Sequence, residues 1–276
     1  MSSIETLKQD IRVIGELGEI TEVLEQVAAK NIIETRSGIM KSRNFFEEAW
    51  MIYNIVRAAT EIGPEVNDRD LIIMITPNKG MSGNLLNRVI NKAEDLYTKR
   101  KADLLITGKK GHNHFMNRDE RTIHFFSIPN NASFEDIEPL RKIVSKYSRV
   151  HFVYPRYISM TQQEVQIASL INEKKETDVD IKGNNVNASR FIFEPSMEEV
   201  VNYLNKTIIG VLFFNYFSES LLAYNAAQML AMKDAHDNAM DQSKDLLFRY
   251  HKLRREVIDS KLRDLYKFKY IIEKEA

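Results

Sequence analysis

From Val201 to Val257, alternating steps of three and four pass through Val201, Leu204, Ile208, Val211, Asn215, Ser218, Leu222, Asn225, Met229, Met232, His236, Ala239, Ser243, Leu246, Tyr250, Leu253 and Val257. Twelve of these 17 residues are apolar or Tyr, and the spacing never slips. That is a heptad seam, the pattern of a helix packed along a partner helix. At ~1.5 Å per residue, a helix over 196–272 would be about 110 Å long. The other end of the chain carries Ile4, Leu7, Ile11, Ile14, then Leu17, Ile20, Leu24 and Val27. The step from Ile14 to Leu17 is three where four is due, which predicts local overwinding. Gly15 and Gly18 sit at that point and lower helix propensity by roughly 1 kcal/mol each. A helix from residue 3 to about 58 is still predicted, with a bend near Gly38. The simplest partner for the C-terminal helix is this N-terminal one, antiparallel.

The middle has a different rhythm. Leu71-Ile72-Ile73-Met74-Ile75 is a continuous apolar run, as in a buried parallel strand. Leu85, Val89, Ala93 and Leu96 give helical spacing over 84–100. Strands are predicted at 104–106, 122–128, 150–154, 163–171 and 190–194, the last two separated by the polar stretch Asn172–Asn187. Ser133 and Asp136 make a capping-box-like start for a helix running to about Tyr147. Strand–helix alternation favours a Rossmann-like sheet. The expected fold class is α/β: an N-terminal long helix over 1–60, a globular domain over 68–195 and a C-terminal long helix over 196–276. Proline agrees with this division. All six prolines lie between Pro64 and Pro195, and helix interiors exclude proline.

Charge narrows the function. The 39 basic and 39 acidic residues cancel, which argues against a dedicated nucleic-acid binder. There is no cysteine, hence no disulfide, thiolate metal site or Cys nucleophile. No run approaches the length of a membrane span, and the acidic, polar start is unlike a signal or transit peptide.

Candidate chemistry is sparse. Asn78-Lys79-Gly80-Met81-Ser82-Gly83 lies between a strand and a helix, where phosphate loops occur. It lacks both the Walker and the dinucleotide glycine patterns, so a tight turn is the reading. Gly108-Lys109-Lys110-Gly111 reads as a similar turn with two solvated lysines. His112 and His114, with Asp119 and Glu120 nearby, carry metal-ligating groups but read as surface loop residues. His236 lies in the heptad seam and reads as a packed or half-exposed histidine. Met229 and Met232 have core spacing. Arg249, Lys252, Arg254, Arg255, Lys261 and Arg263 form a basic stretch tempered by Glu256, Asp259 and Asp264. Its default reading is a solvated helix face; the sharper one is a contact surface for acidic loops of a partner.

Several segments together resemble the gamma subunit of rotary F-type ATP synthases. Ala226-Ala227-Gln228-Met229-Leu230-Ala231-Met232-Lys233-Asp234-Ala235-His236-Asp237-Asn238 is similar to that family's A-A-R-M-x-A-M-K-x-A-T-D-N signature, with Gln228 for Arg and His236 for Thr. Ile11-Arg12-Val13-Ile14, Ile20-Thr21 and Val27-Ala28-Ala29 match its N-terminal pattern. Thr76 to Asn87 resembles its T-S-D-R-G-L-C-G-x-L-N turn, with Ser82 for Cys or Ala. Phe193-Glu194-Pro195 resembles the Y-E-P that opens its C-terminal helix. Tyr250, Arg254, Ile258 and Leu262 match the pattern near the end of that helix, while His251, Arg255, Asp259 and Lys261 depart from it. Gly15, Glu19 and Glu22 stand where the family has lysines.

The resemblance implies two long antiparallel helices around a Rossmann-like domain, acting as a non-catalytic central rotor shaft. The implied partners are a hexamer of alternating alpha and beta subunits, an epsilon-type subunit and a membrane ring of c subunits, with one copy per complex, no cofactor and no nucleic acid. Proton or sodium flow would turn the ring and shaft. The implied location is peripheral, on the cytoplasmic face of a bacterial inner membrane. Expected hexamer contacts are Ile20, Thr21, Gln228, Arg254, Arg255, Ile258, Lys261 and Leu262. Charge swaps on the shaft should require matching swaps on the surrounding loops, so a diverged or specialised hexamer is expected. The competing classes are a gamma-like shaft of an ATPase not coupled to an ion ring, a non-rotary helical scaffold, and a small α/β enzyme with helical extensions.

Overall fold

The computed structural model describes residues 4–58, 67–100, 102–116, 123–129, 135–144, 146–171 and 196–275; side chains within 37–58 are not described. The predicted strand at 190–194, the polar stretch 172–187, Ser133 and the Phe193-Glu194-Pro195 segment fall outside them. Two helices dominate: α1 (Ile4–Ala58), of 55 residues, and α5 (Met197–Glu275), of 79. Both match the expected helices within a few residues, and α1 runs unbroken through Gly38. By contact density the chain divides into two units, one of residues 1–27 with 229–276 and one of residues 28–228.

The second unit is built on a sheet of five strands: β1 (Asn67–Ile75), β2 (Ala102–Thr107), β3 (Ile123–Phe126), β4 (Tyr147–Tyr157) and β5 (Gln163–Ile171). Their order is β3-β2-β1-β4-β5, parallel except for β5. The crossovers are α2 (Leu85–Lys99), α3 (Lys109–Phe115) and, after a 3-10 turn at Glu135–Ile137, α4 (Glu138–Val144). The first four strands thus have the 3-2-1-4 order of a Rossmann-like half. β5 is antiparallel to β4 because only residues 158–162 join them, too few for a crossover. Ile158 and Ser159 both donate their N–H groups to the Gln162 carbonyl in that hairpin.

The apolar run of β1 is buried on both faces. Leu71, Ile73 and Ile75 pack with Leu140 and Val144 of α4, Phe152 of β4 and Phe213 of α5. Ile72 and Met74 pack with Val89 and Ala93 of α2, Leu104 and Ile106 of β2, Phe115 of α3 and Tyr224 of α5. Each such side chain contributes roughly 1.5–3 kcal/mol of transfer free energy, before entropy. Helix α5 therefore closes both layers, and Tyr224 donates its hydroxyl to the Ile75 carbonyl, 3.0 Å away, at the end of β1.

Helix α3 departs from the turn expected at Gly108 to Gly111. Gly108 has φ +96°, and a Cβ there would lie 2.1 Å from the Thr76 carbonyl oxygen. Gly111 is helical but packs against Thr76 and Met74, so a Cβ would meet the Thr76 Oγ1 at 2.5 Å. Both glycines serve the close approach of α3 to the end of β1.

Candidate partner-binding surface

In the first unit α1 and α5 are antiparallel. Gly18 faces Ala239, His236 and Met240, while Gln9, Asp10, Val13 and Ile14 share a groove with Gln242, Asp245, Leu246 and Arg249. The expected overwinding at Ile14 is absent from the buried face. Leu7, Gly18 and Thr21 are buried, and Ile4, Ile11, Ile14 and Glu25 are half-buried. These positions keep alternating by three and four from Ile4 to Glu25. Leu17, Ile20 and Val27, read as seam residues from their hydrophobicity, lie outside it at 46%, 58% and 47% exposure. The seam turns small and polar at Gly18 and Thr21, so apolar character alone pointed to the adjacent stripe.

On α5 the seam is Met232 and Ala239, buried, with His236, Ser243, Leu246, Tyr250 and Leu253 half-buried. Every described side chain from Arg254 to Phe268 is exposed. Geometry explains the change: with Gly18 level with Ala239, an antiparallel α1 ends at Ile4 near residue 253. Beyond that level α5 carries Val257, Ile258, Leu262, Leu265, Tyr266 and Phe268 uncovered, interleaved with Arg254, Arg255, Asp259, Lys261 and Arg263. Exposed apolar area of this kind makes the end of α5 the candidate surface for a partner.

The candidate contact residues separate accordingly. Ile20, Arg254, Arg255, Ile258, Lys261 and Leu262 are exposed. Gln228, in the second unit, is half-buried. Thr21 is only 5% exposed, and its hydroxyl lies 3.0 Å from the Leu17 carbonyl and 2.9 Å from that of Gly18. It belongs to the inner face of the helix pair.

The loops at the carboxyl ends of β1 and β2 spend their polar groups on one another. Thr76 donates its hydroxyl to the Thr107 carbonyl at 2.6 Å and accepts the Gly111 N–H at 3.2 Å. Asn78 donates to the Ile128 carbonyl and accepts from the Lys109 N–H and the Ser127 hydroxyl. Met81 (φ 75°) and Gly83 (φ 55°) turn the chain into α2. This is the tight strand-to-helix turn expected there. Ser82 is buried, and its hydroxyl has no hydrogen-bond partner among the described residues.

His112 stacks on Phe125, with ring centroids 4.2 Å apart, and His114 pairs with Glu94 at 2.8 Å. Both belong to α3 rather than to a loop; Asp119 and Glu120 lie outside the described residues. Among the described residues no cluster of three or more metal-ligating side chains occurs, and no helix is long and apolar enough to cross a membrane.

Sequence reading missed a buried polar cluster near the start of the sheet. Asp70 of β1 accepts from the Arg149 Nε at 2.7 Å and the Arg100 Nη1 at 3.1 Å. Burial alone would raise its pKa, but the two guanidinium bonds outweigh that and hold the carboxyl below its ordinary value. His151 lies beside them, its Nε2 3.2 Å from Arg100 and its Nδ1 2.7 Å from the Ser169 hydroxyl. Arginine only donates, so Nε2 accepts and Nδ1 carries the proton. Burial and the neighbouring Arg100 charge push the His151 pKa down against the pull of Asp70. Tyr147 donates to Asp103 at 2.8 Å, and burial with that carboxylate raises its pKa to about 12. These residues come from β1, β2, β4, β5 and the end of α2, and no short sequence motif joins them.

Comparison with known proteins agrees with this architecture. The ATP synthase gamma chain of Cytophaga hutchinsonii is 24% identical over 287 aligned positions, spanning 96% of this chain and 97% of the relative. That of Alkaliphilus metalliredigens is also 24% identical, spanning 95% and 96%. A chain in the rotor of the Euglena gracilis mitochondrial ATP synthase superposes with a TM-score of 0.64 at 17% identity, covering 92% of this chain and 98% of its own length. The family model described as ATP synthase matches residues 3–266. With an α/β sheet carrying long helices at both ends and a family match over nearly its whole length, the chain belongs to the ATP synthase gamma-chain family.

Proposed function

We propose that this non-catalytic subunit is the central shaft of an F-type ATP synthase or ATPase, coupling rotation of a c-subunit ring to conformational change at catalytic beta subunits. The α1–α5 pair and the end of α5 would sit inside a hexamer of alternating alpha and beta subunits. The α/β unit would meet an epsilon-type subunit and the ring, at the cytoplasmic face of a bacterial membrane, with one copy per complex. Proton or sodium flow would drive the turn. The observation that carries this reading is the end of α5 beyond Leu253, where Val257, Ile258, Leu262, Leu265, Tyr266 and Phe268 stand exposed among charged side chains, with nothing among the described residues packed over them. Exposed apolar side chains grouped in this way are the kind of surface that a partner covers.

Ile20, Arg254, Arg255, Ile258, Lys261 and Leu262 are the proposed contact residues. Gln228 contributes through its half-exposed side chain, and Thr21 from the inner face by setting the helix spacing. Arg255, Asp259 and Lys261, which depart from the family pattern, favour a specialised hexamer whose facing loops carry compensating charges; the alternative reading is a gamma-like shaft of a specialised ATPase not coupled to an ion ring. Ordinary loop charges on the natural partners would argue against specialisation.

The test is to remove the last dozen residues, or to make Arg254→Glu with Lys261→Glu, in the reconstituted complex. ATP hydrolysis, ion-coupled synthesis and assembly are measured together. Coupling should fall more than assembly. Unchanged coupling would mean that these are ordinary solvated side chains.

A further inference from the structure

Among the described residues, a hydrogen bond joins α1 to α5 where both seams run short of large apolar side chains. His236 Nδ1 is 3.0 Å from the Gly18 carbonyl oxygen. A carbonyl only accepts, so Nδ1 carries the hydrogen and donates it. The seam positions there are Gly18 and Thr21 on α1 and His236, Ala239 and Ser243 on α5. Leucine and isoleucine ridges set how far one helix slides past another by filling the gaps of its partner. Glycine, alanine and serine provide no such ridges, so packing at this level specifies the axial register weakly. A polar pair inside an apolar seam specifies it another way. Any slip separates the half-buried imidazole N–H from its acceptor, and unpaired buried polar groups are penalised. The same carbonyl also receives the Thr21 hydroxyl at 2.9 Å. That hydroxyl shares its one hydrogen between the Gly18 carbonyl and the Leu17 carbonyl, 3.0 Å away, whereas the imidazole N–H comes from the other helix.

We propose that His236 is a positioning residue: its Nδ1–H bond to the Gly18 carbonyl pins the axial register of α1 against α5 in this helix pair. The pin itself is independent of the rotor function. Its consequence for coupling rests on that function, because register decides which side chains of the two helices stand level on the outer surface.

The test uses the full chain, which has no cysteine of its own. A Cβ built on Gly18 lies 3.8 Å from the Ala239 Cβ, the usual separation across a disulfide. Gly18→Cys with Ala239→Cys therefore reports the native register. Gly18→Cys with Met232→Cys or Leu246→Cys, one heptad to either side, reports slipped ones. Closure under a mild oxidant is followed by mass spectrometry, with helix content checked by circular dichroism. The native pair should close and the slipped pairs should not. Adding His236→Leu, or His236→Ala as a smaller second variant, should slow native closure about fivefold or more. His236→Asn, whose Nδ2 lies as many bonds from the backbone as the imidazole Nδ1, should restore it. Native closure at the parent rate in either donor-less variant that retains its helix content overturns the pin. Lost register with undiminished ion-coupled synthesis in the reconstituted complex would instead count against the rotor function.

Discussion

The two glycines of α1 allow a comparison in which the surroundings, rather than the residue type, decide the outcome. Gly15 has nothing within 4 Å of a built Cβ, whereas Gly18 would place its Cβ 3.8 Å from Ala239 and 4.0 Å from both His236 Nδ1 and Met240 Sδ. Alanine is favoured over glycine in a helix by about 0.8–1.0 kcal/mol, so Gly15→Ala should stabilise the first unit by about that much. Gly18→Ala gains the same propensity. Its methyl also enters a buried site at ordinary van der Waals distance, which adds up to about 0.8 kcal/mol for a buried CH2-sized group. Gly18→Ala should therefore stabilise by about 1.5 kcal/mol, more than Gly15→Ala, and the double variant by roughly the sum. Urea unfolding of the purified chain measures the change. Amide exchange along residues 4–27 and 229–253 locates it in the helix pair. Destabilisation by Gly18→Ala, with Gly15→Ala neutral or stabilising, would refute the reasoning: the helices would then meet more closely at Gly18 than a Cβ permits.

Two other predictions concern the α/β unit. Ser82→Ala removes a buried hydroxyl that has no partner among the described residues and should stabilise the chain by about 1 kcal/mol, read as a higher urea midpoint at unchanged slope; a loss of that size would mean that the hydroxyl is bonded. His151 has its folded pKa lowered, so it stays neutral in the native state while the unfolded chain takes up a proton. Stability should therefore be fully present above the unfolded value of about 6.5 and decline as pH falls through that value toward the folded one. Urea midpoints at pH 7.5 and 5.5 measure the decline, and His151→Asn should flatten it; an equal decline in that variant would assign the effect elsewhere.

How much of this was legible in the sequence follows from the physics of each element. The continuous apolar run of β1 is buried on both faces, and a strand of that kind declares itself. The three-four spacing of α5 shows equally well because most of its seam is large and apolar. The α1 seam did not, because Gly18 and Thr21 occupy it while Leu17 and Ile20 face outward. The short helix α3 begins with Gly-Lys-Lys-Gly, which reads as a turn; its formation depends on the close approach to Thr76 and Met74. The Asp70 cluster gathers residues as far apart as 70 and 169, and only strand register brings them together. For the contact surface, the sequence pointed to the basic stretch after Arg249, but where the first helix ends, and hence where exposure begins, needed the helix pairing.

The bare apolar end of α5 also bears on how surplus copies fare. A helix end with six large apolar side chains open to water is the kind of segment that holdase chaperones grip and that degradative enzymes can enter. Enclosed as proposed, a copy would hide that segment; an orphan would display it. Clearance would then fall on the orphans, and the cell's stock of this chain would follow the supply of the subunits that enclose it, with no dedicated regulator needed to match the numbers.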